Sequence, residues 1–132
     1  MDLRKPYLIP RLLIGLMALA MAAATLPAYV NPTLNPGLAN LSGPALSLGE
    51  TAGAFLGRQL TLIGIALVGA IGGQRTWVIV GAAGLMCMNG HDAVFMGLFG
   101  GPEAAAVGGL VFALLAALTL YLAVRESPPT SS

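Results

Sequence analysis

The chain has 132 residues, 57% of them hydrophobic and 8% charged, with a mean hydropathy of +0.86. That length suits one domain, and that composition is too apolar for an ordinary soluble one. The net charge of +1 sets six Lys/Arg against five Asp/Glu, and the basic residues are spread without a stripe, so no nucleic-acid partner is expected.

Four apolar runs are long enough to cross about 30 Å of hydrocarbon as helices. They cover approximately Leu8–Ala28, Thr51–Gly72, Thr76–Phe99 and Ala104–Val124. Between the first two, Pro27 to Glu50 carries Asn31-Pro32, Asn35-Pro36 and Ser42-Gly43-Pro44, pairs that favour turns. A connection of that length without clear periodicity is expected to cap a site. Gly72-Gly73-Gln74-Arg75 is a tight link that makes the second and third helices antiparallel neighbours, and Gly100-Gly101-Pro102-Glu103 is a second short break with Pro102 suited to a helix start. The segment 126–132 is expected to be a disordered tail. The fold class is therefore all-α: a four-transmembrane-helix antiparallel bundle over residues 1–125, with a long first extracytoplasmic loop.

Arg4, Lys5 and Arg11 flank the first helix, Arg75 lies between the second and third, and Arg125 follows the fourth. The other two connections carry Glu50 and Glu103 and no Lys or Arg. The positive-inside rule then puts both termini in the cytoplasm of a multi-pass cell-membrane protein. A cleaved signal peptide is the competing interpretation of the first run, from its basic start and small residues near Pro27-Ala28. Its apolar stretch is longer than a signal core, and losing it would strand Arg125 opposite Arg75.

Two charges stand inside these runs. Arg58 lies fourteen residues before Gly72, about 21 Å along the helix axis, and Asp92 fifteen residues after Trp77, about 22 Å. On adjacent antiparallel helices they share one depth and can neutralise each other. A charge at the centre of a spanning helix costs roughly 2.5–3.5 kcal/mol, so such groups are usually paired and mark a functional site. Asn89, one turn below Asp92, shares its face and is placed to hydrogen-bond either partner. Gln59 and Glu50 extend the polarity, and His91 points about a quarter-turn from Asp92, toward the same cavity or an adjoining interface. The candidate ligand pocket is thus Arg58, Asp92, Asn89, His91 and Gln59. A pair that only fixes helix register, a pocket-lining pair and direct proton chemistry all remain open.

Other signals are weak. Gly53/Gly57, Gly69/Gly73 and Gly97/Gly101 have the spacing that permits close helix approach. Met86, Met88 and Met96 fit an adaptable apolar wall or ordinary packing. Cys87 reads as a small buried hydrophobe; as the one cysteine it excludes an internal disulfide and CxxC chemistry. Asn40-Leu41-Ser42 matches a glycosylation sequon. Neither a nucleotide-binding Gly-Lys-Ser/Thr loop, an HExxH nor a Ser-His-Asp set occurs, and bis-histidine haem needs a second histidine from a dimer. No cofactor, metal ligand or catalytic residue is indicated.

With Pro27 closing the first helix before a Gly/Pro loop, Gly57-Arg58 followed by Leu60-Thr61-Leu62-Ile63-Gly64, a Gly/Arg turn and Asp92 late in the third helix, the chain resembles the DoxX-like superfamily of small four-helix membrane proteins. Its uncharacterised bacterial branch is the nearest in pattern. The resemblance implies an Arg–Asp pair packed in the bundle, here Arg58 and Asp92. The superfamily's name derives from a membrane subunit linked to sulfur oxidation and quinone reduction. The histidine pictured near the start of helix four in that branch has no counterpart in Gly101–Ala106, which offers only Glu103.

The function expected is binding of a lipid- or quinone-like molecule, or an accessory-subunit role in a homo-oligomer or larger membrane complex within the lipid bilayer. Arg58 would anchor an anionic or carbonyl group, held by Asp92. A small multidrug-type transporter is the alternative; it needs a carboxylate free to exchange a proton, and Asp92 has an Arg partner. A purely structural membrane subunit is another. A quinone- or thiol-type enzyme is weakened by one cysteine and one histidine.

Overall fold

The computed structural model describes residues 7–126. They form four long helices, α1 (Leu8–Thr25), α2 (Thr51–Gly72), α3 (Arg75–Leu98) and α4 (Glu103–Arg125), with no strand among the described residues. Four helical stretches are long and apolar enough to cross a membrane, α1 counted there with the turn that follows it and α2 with the turn that precedes it.

Each helix stops where its sequence stops supporting it. The first was expected to reach Ala28 but ends at Thr25, because Pro27 has no N–H to continue the ladder and its ring crowds the preceding turn. A single 3₁₀ turn, Pro27–Tyr29, carries the chain on. α2 ends on Gly73, whose φ of 66° is left-handed and whose N–H reaches the Gly69 carbonyl at 3.1 Å. Glu103 in the first turn of α4 and Arg125 in its last both complement the helix dipole.

Terminal carbonyls at one end of the bundle are closed by arginines from a neighbouring helix. Arg11 donates from Nε to Ala70 O at 2.9 Å and from Nη2 to Ile71 O at 3.0 Å. Arg75 repeats this on α4, Nε to Ala123 O at 3.0 Å and Nη2 to Val124 O at 2.7 Å. These are carbonyls that no intrahelical N–H can reach, and the guanidinium brings positive charge to the negative end of each dipole. At the same end Glu126 accepts from the Tyr7 N–H at 2.6 Å. Glu126 was assigned to the tail; it is engaged with the start of α1, and 127–132 lie outside the described residues, as do Arg4 and Lys5.

The core joins Ile14, Met17, Ala18 and Met21 of α1 to Ile63 and Ala66 of α2, Ala82, Leu85 and Met88 of α3, and Ala116 of α4. A second, smaller core lies under the long connection, where Ala28 and Leu38 meet Ala52 and Leu56 at the start of α2. Cys87, expected to be buried, is exposed on α3. In a chain this apolar the outward face is as greasy as the inward one, so an apolar setting does not tell which way a residue turns.

The spaced glycine pairs do not mark the close helix contacts as a set. Gly69 does: a Cβ there would stand 2.8 Å from the Trp77 carbonyl oxygen on α3. Gly57 and Gly97 have nothing within 4 Å. α3 and α4 instead approach closely at Gly109, where a Cβ would meet Asn89 O at 2.9 Å and Ala93 N at 3.3 Å. Backbone cannot yield as a side-chain tip can. Gly109→Ala should therefore cost about 1–3 kcal/mol as overpacking, whereas Gly97→Ala should be neutral or stabilise by up to about 1 kcal/mol through helix propensity. Thermal unfolding of the two purified variants side by side checks the contrast.

Candidate functional site

Asp92 is the centre of the polar layer. Its carboxylate is 11% exposed and receives Arg58 from α2, whose Nη2 donates to Oδ2 at 2.9 Å and Oδ1 at 3.1 Å. His91 Nδ1 lies 3.2 Å from Oδ1. A carboxylate only accepts, so this contact places the proton on Nδ1 of His91. The Arg58 guanidinium lies 5.1 Å from the centre of the Phe55 ring. The His91 ring stacks on Phe95 at 4.4 Å, and Phe95 on Phe99 at 5.7 Å.

Asn89 shares the buried face of α3 with Asp92 but hydrogen-bonds neither charge. Its Nδ2 donates to the Leu85 carbonyl one turn back at 2.8 Å and contacts Met21 Sδ at 3.9 Å. An amide in an apolar helix finds the i−4 carbonyl of its own helix first, with no second helix to position. Thr61 and Thr119 do the same, to Gly57 O and Leu115 O.

A partly open cavity of about 130 Å³ lies against Asp92, among all four helices and the long connection. Its lining is mostly apolar: Ala20, Met21 and Ala24 of α1, Phe55 of α2, Met96 of α3, and Ala104, Ala105 and Phe112 of α4. The polar residues in its lining are Thr25, Asn35, Gln59, Asn89 and Asp92. Three of the five expected pocket residues, Gln59, Asn89 and Asp92, thus line one space. Arg58 and His91 are absent from that lining, and their side chains are 42% and 58% exposed. Of the three methionines singled out, Met96 lines the cavity, while Met88 is in the core and Met86 packs against it.

Asn35 and Thr25 are additions that sequence reasoning missed. The connection is a string of 3₁₀ turns opened by prolines, Pro32–Leu34, Pro36–Leu38 and Gly43–Leu46 after the first. Asn31 and Asn35 each turn the chain, accepting from the N–H of Thr33 at 3.2 Å and of Gly37 at 2.9 Å. Asn35 is 2% exposed and also donates from Nδ2 to Gln59 Oε1 at 3.0 Å and to Ala24 O at 3.3 Å. Thr25 donates to the same Gln59 oxygen at 2.8 Å. One glutamine carbonyl therefore ties α1, the connection and α2 together over the cavity. The Asn-Pro repeat signalled the turn at Asn35; nothing in the pattern signalled that its amide is buried.

Among the described residues no three His, Cys, Asp or Glu side chains converge. What the cavity offers is hydrogen bonding: acceptor oxygens on Asp92 and Asn89, and the Gln59 Nε2 donors, which bond no other described residue. Comparison with protein-family models, curated proteins and solved structures returned no match to this chain.

Removing one side of the ion pair should be worse than removing both. Asp92→Asn and Arg58→Gln singly each leave a polar group without its partner, whereas the double variant retains a neutral amide pair. In a double-mutant cycle by thermal unfolding, the pair should show a coupling energy above about 1 kcal/mol. Strict additivity would mean that the two charges do not hold each other.

Proposed function

We propose that the chain is an integral membrane protein of the cell membrane that binds a small amphipathic molecule in the cavity beside Asp92. Its four helices cross the bilayer as an antiparallel bundle, with both termini cytoplasmic and the long first connection extracytoplasmic. The antiparallel order is supported by which ends meet: Arg11 with the end of α2, Thr25 with the early part of α2, and Arg75 with the end of α4. The orientation is supported by Arg11, Arg75 and Arg125 sharing one end, opposite Glu50 and Glu103. Retention of α1 is supported by the buried side chains it contributes to the core. The likeness to the DoxX-like superfamily agrees with this architecture and stands as part of the proposal.

One observation carries the ligand class: a mostly apolar cavity with a few polar groups in its lining, the linked Thr25, Asn35 and Gln59 and, from α3, Asn89 and Asp92. At about 130 Å³ it is close to the roughly 150 Å³ engineered cavity that admits benzene, so it takes one ring or a glycerol-sized group. The remainder of the molecule leaves through the open side. Gln59 Nε2 would donate to a carbonyl oxygen, and Asp92 or Asn89 would accept from a hydroxyl. A quinone- or quinol-like ring and the polar neck of a lipid both satisfy this. The same binding would serve an accessory subunit of a membrane complex. Proton-coupled cation transport is less well supported, because the Asp92 carboxylate is already engaged by Arg58 and His91.

Gly108 lines the cavity, and a Cβ there meets nothing within 4 Å. Gly108→Leu should fill the space without strain, and Gln59→Glu, which keeps the oxygen that accepts from Thr25 and Asn35, should weaken binding about five- to tenfold by deleting the directed Nε2 donor. Mass spectrometry of small molecules extracted with the protein from native membranes should find an amphiphile in the wild type that Gly108→Leu lacks at unchanged thermal stability. The same extract from both proteins would defeat the proposal.

A further inference from the structure

Each amide in the cavity lining has its orientation set by its neighbours, and that decides what it leaves free. Asn35 accepts from the Gly37 N–H, so its Nδ2 lies on the other side and donates to Ala24 O and to Gln59. Gln59 must therefore present its oxygen to Asn35, and the Thr25 hydroxyl donates to that same oxygen. The Gln59 Nε2 is left without a partner among the described residues. Asn89 gives its Nδ2 to the Leu85 carbonyl, which leaves Oδ1 free to accept. No buried side-chain nitrogen or oxygen goes unsatisfied among the described residues, so Gln59 Nε2 and Asn89 Oδ1 both keep accessible surface, and both residues line the cavity. Asp92 can accept about four hydrogen bonds. Arg58 and His91 make three contacts to it, two on Oδ1 and one on Oδ2, so Oδ2 has room for another.

The balance is uneven. Thr25 has given its hydroxyl proton to Gln59 and offers only an oxygen, and both amide protons of Asn35 are engaged. Acceptors therefore stand at Thr25, Asn89 and Asp92, against one donor group, the Gln59 amide. Asn89 and Asp92 are three residues apart on one face of α3, about 4.5 Å along its axis. Charge is already balanced, because Arg58 pairs with Asp92, so an ion of either sign would bring an uncompensated charge into a mostly apolar space. The exposed lining residues are Ala20 of α1, Pro36 of the connection and Ala104 of α4, and they mark the open side by which an apolar tail leaves. Building on the cavity reading above, we propose that the ligand is an uncharged amphiphile whose headgroup brings two hydroxyl groups. A glycerol diol and a hydroquinone ring both supply that chemistry. One hydroxyl donates to Asn89 Oδ1, the other to Asp92 Oδ2, and an oxygen of the headgroup accepts from Gln59 Nε2. An ester or a quinone brings acceptors alone, which would face the Asn89 and Asp92 oxygens with only Gln59 to satisfy them.

The test is native mass spectrometry of the full chain in detergent, offered matched probes in equal amounts. Monolauroylglycerol is set against methyl laurate, and decylhydroquinone against decylbenzoquinone without oxygen; laurate and dodecylammonium are the charged controls. In at least one pair the wild type should retain the hydroxyl-bearing member about tenfold over its partner, and whichever pair shows this assigns the source. Neither ion should compete with it. Asn89→Leu, which removes an acceptor and leaves no buried group unpaired, should lower the preference several-fold. Equal retention within both pairs, or an undiminished preference in Asn89→Leu, would overturn the inference. Strongest retention of laurate would overturn it too, and strongest retention of dodecylammonium would do so in favour of a cation site. Gly108→Leu separates this from the broader proposal. Probes retained without preference by the wild type and lost from Gly108→Leu defeat only the hydroxyl requirement, whereas equal retention by wild type and Gly108→Leu defeats binding in the cavity itself. A wild type that retains none of the probes defeats the inference and leaves the cavity proposal to its own extraction experiment.

Discussion

In a chain with 8% charged residues, the rule that governs the structure is that a polar group away from water must be given a partner. No buried side-chain nitrogen or oxygen lacks one among the described residues. Asp92 meets the rule at the greatest expense. It collects a guanidinium from α2 and an imidazole from its own helix, and this fixes how α2 and α3 face each other. The cheaper groups meet it locally: Thr61, Thr119 and Asn89 return their protons to carbonyls one turn back and ask nothing of their neighbours. The division sorts the polar residues into those that organise the bundle and those that merely survive in it.

The arginines divide in the same way. Arg11 and Arg75 each supply two donors to the last carbonyls of an adjacent helix, so the C-terminal ends of α2 and α4 are closed by side chains from elsewhere in the sequence. Positive charge there does two jobs at once under the membrane proposal. It orients the chain by the positive-inside bias, and it completes the α2 and α4 C-termini. Arg58 does neither; it is the arginine placed along the length of a helix, and its role follows from Asp92.

Much of this was legible because it depends on chain length and local chemistry. Spans of 18 to 24 residues follow from apolar runs bounded by Pro27, the Gly73 turn and the Gly100-Gly101-Pro102 break. The Arg58–Asp92 contact follows from counting equal distances from one turn. What failed to show depends on which way a side chain turns. Apolar residues surround each helix, so periodicity gave no inward face; Cys87 was placed inside and is outside, and Arg58 and His91 were placed in the pocket and lie beyond it. The connection's role was hidden for another reason. Its turns are local, but the burial of Asn35 depends on Gln59 and Ala24, which are far from it in sequence. Gly109 was overlooked because close approach is a property of two helices and was sought as a spacing within one.

These placements change what the ion pair is for. A charge pair lining a pocket from both sides would present a ligand with a cation and an anion that largely cancel. Here the cavity meets the carboxylate wall with its neutral amides, and the outer surface meets the guanidinium and imidazole. Asp92 is therefore a partition with opposite polarity on its two faces. Because both faces share one carboxylate, anything that draws Arg58 away from Asp92 strengthens Asp92 as an acceptor toward the cavity, and anything that binds the carboxylate there loosens Arg58. The two faces are coupled through an ion pair about 3 Å long, which needs no movement of the helices to transmit the effect.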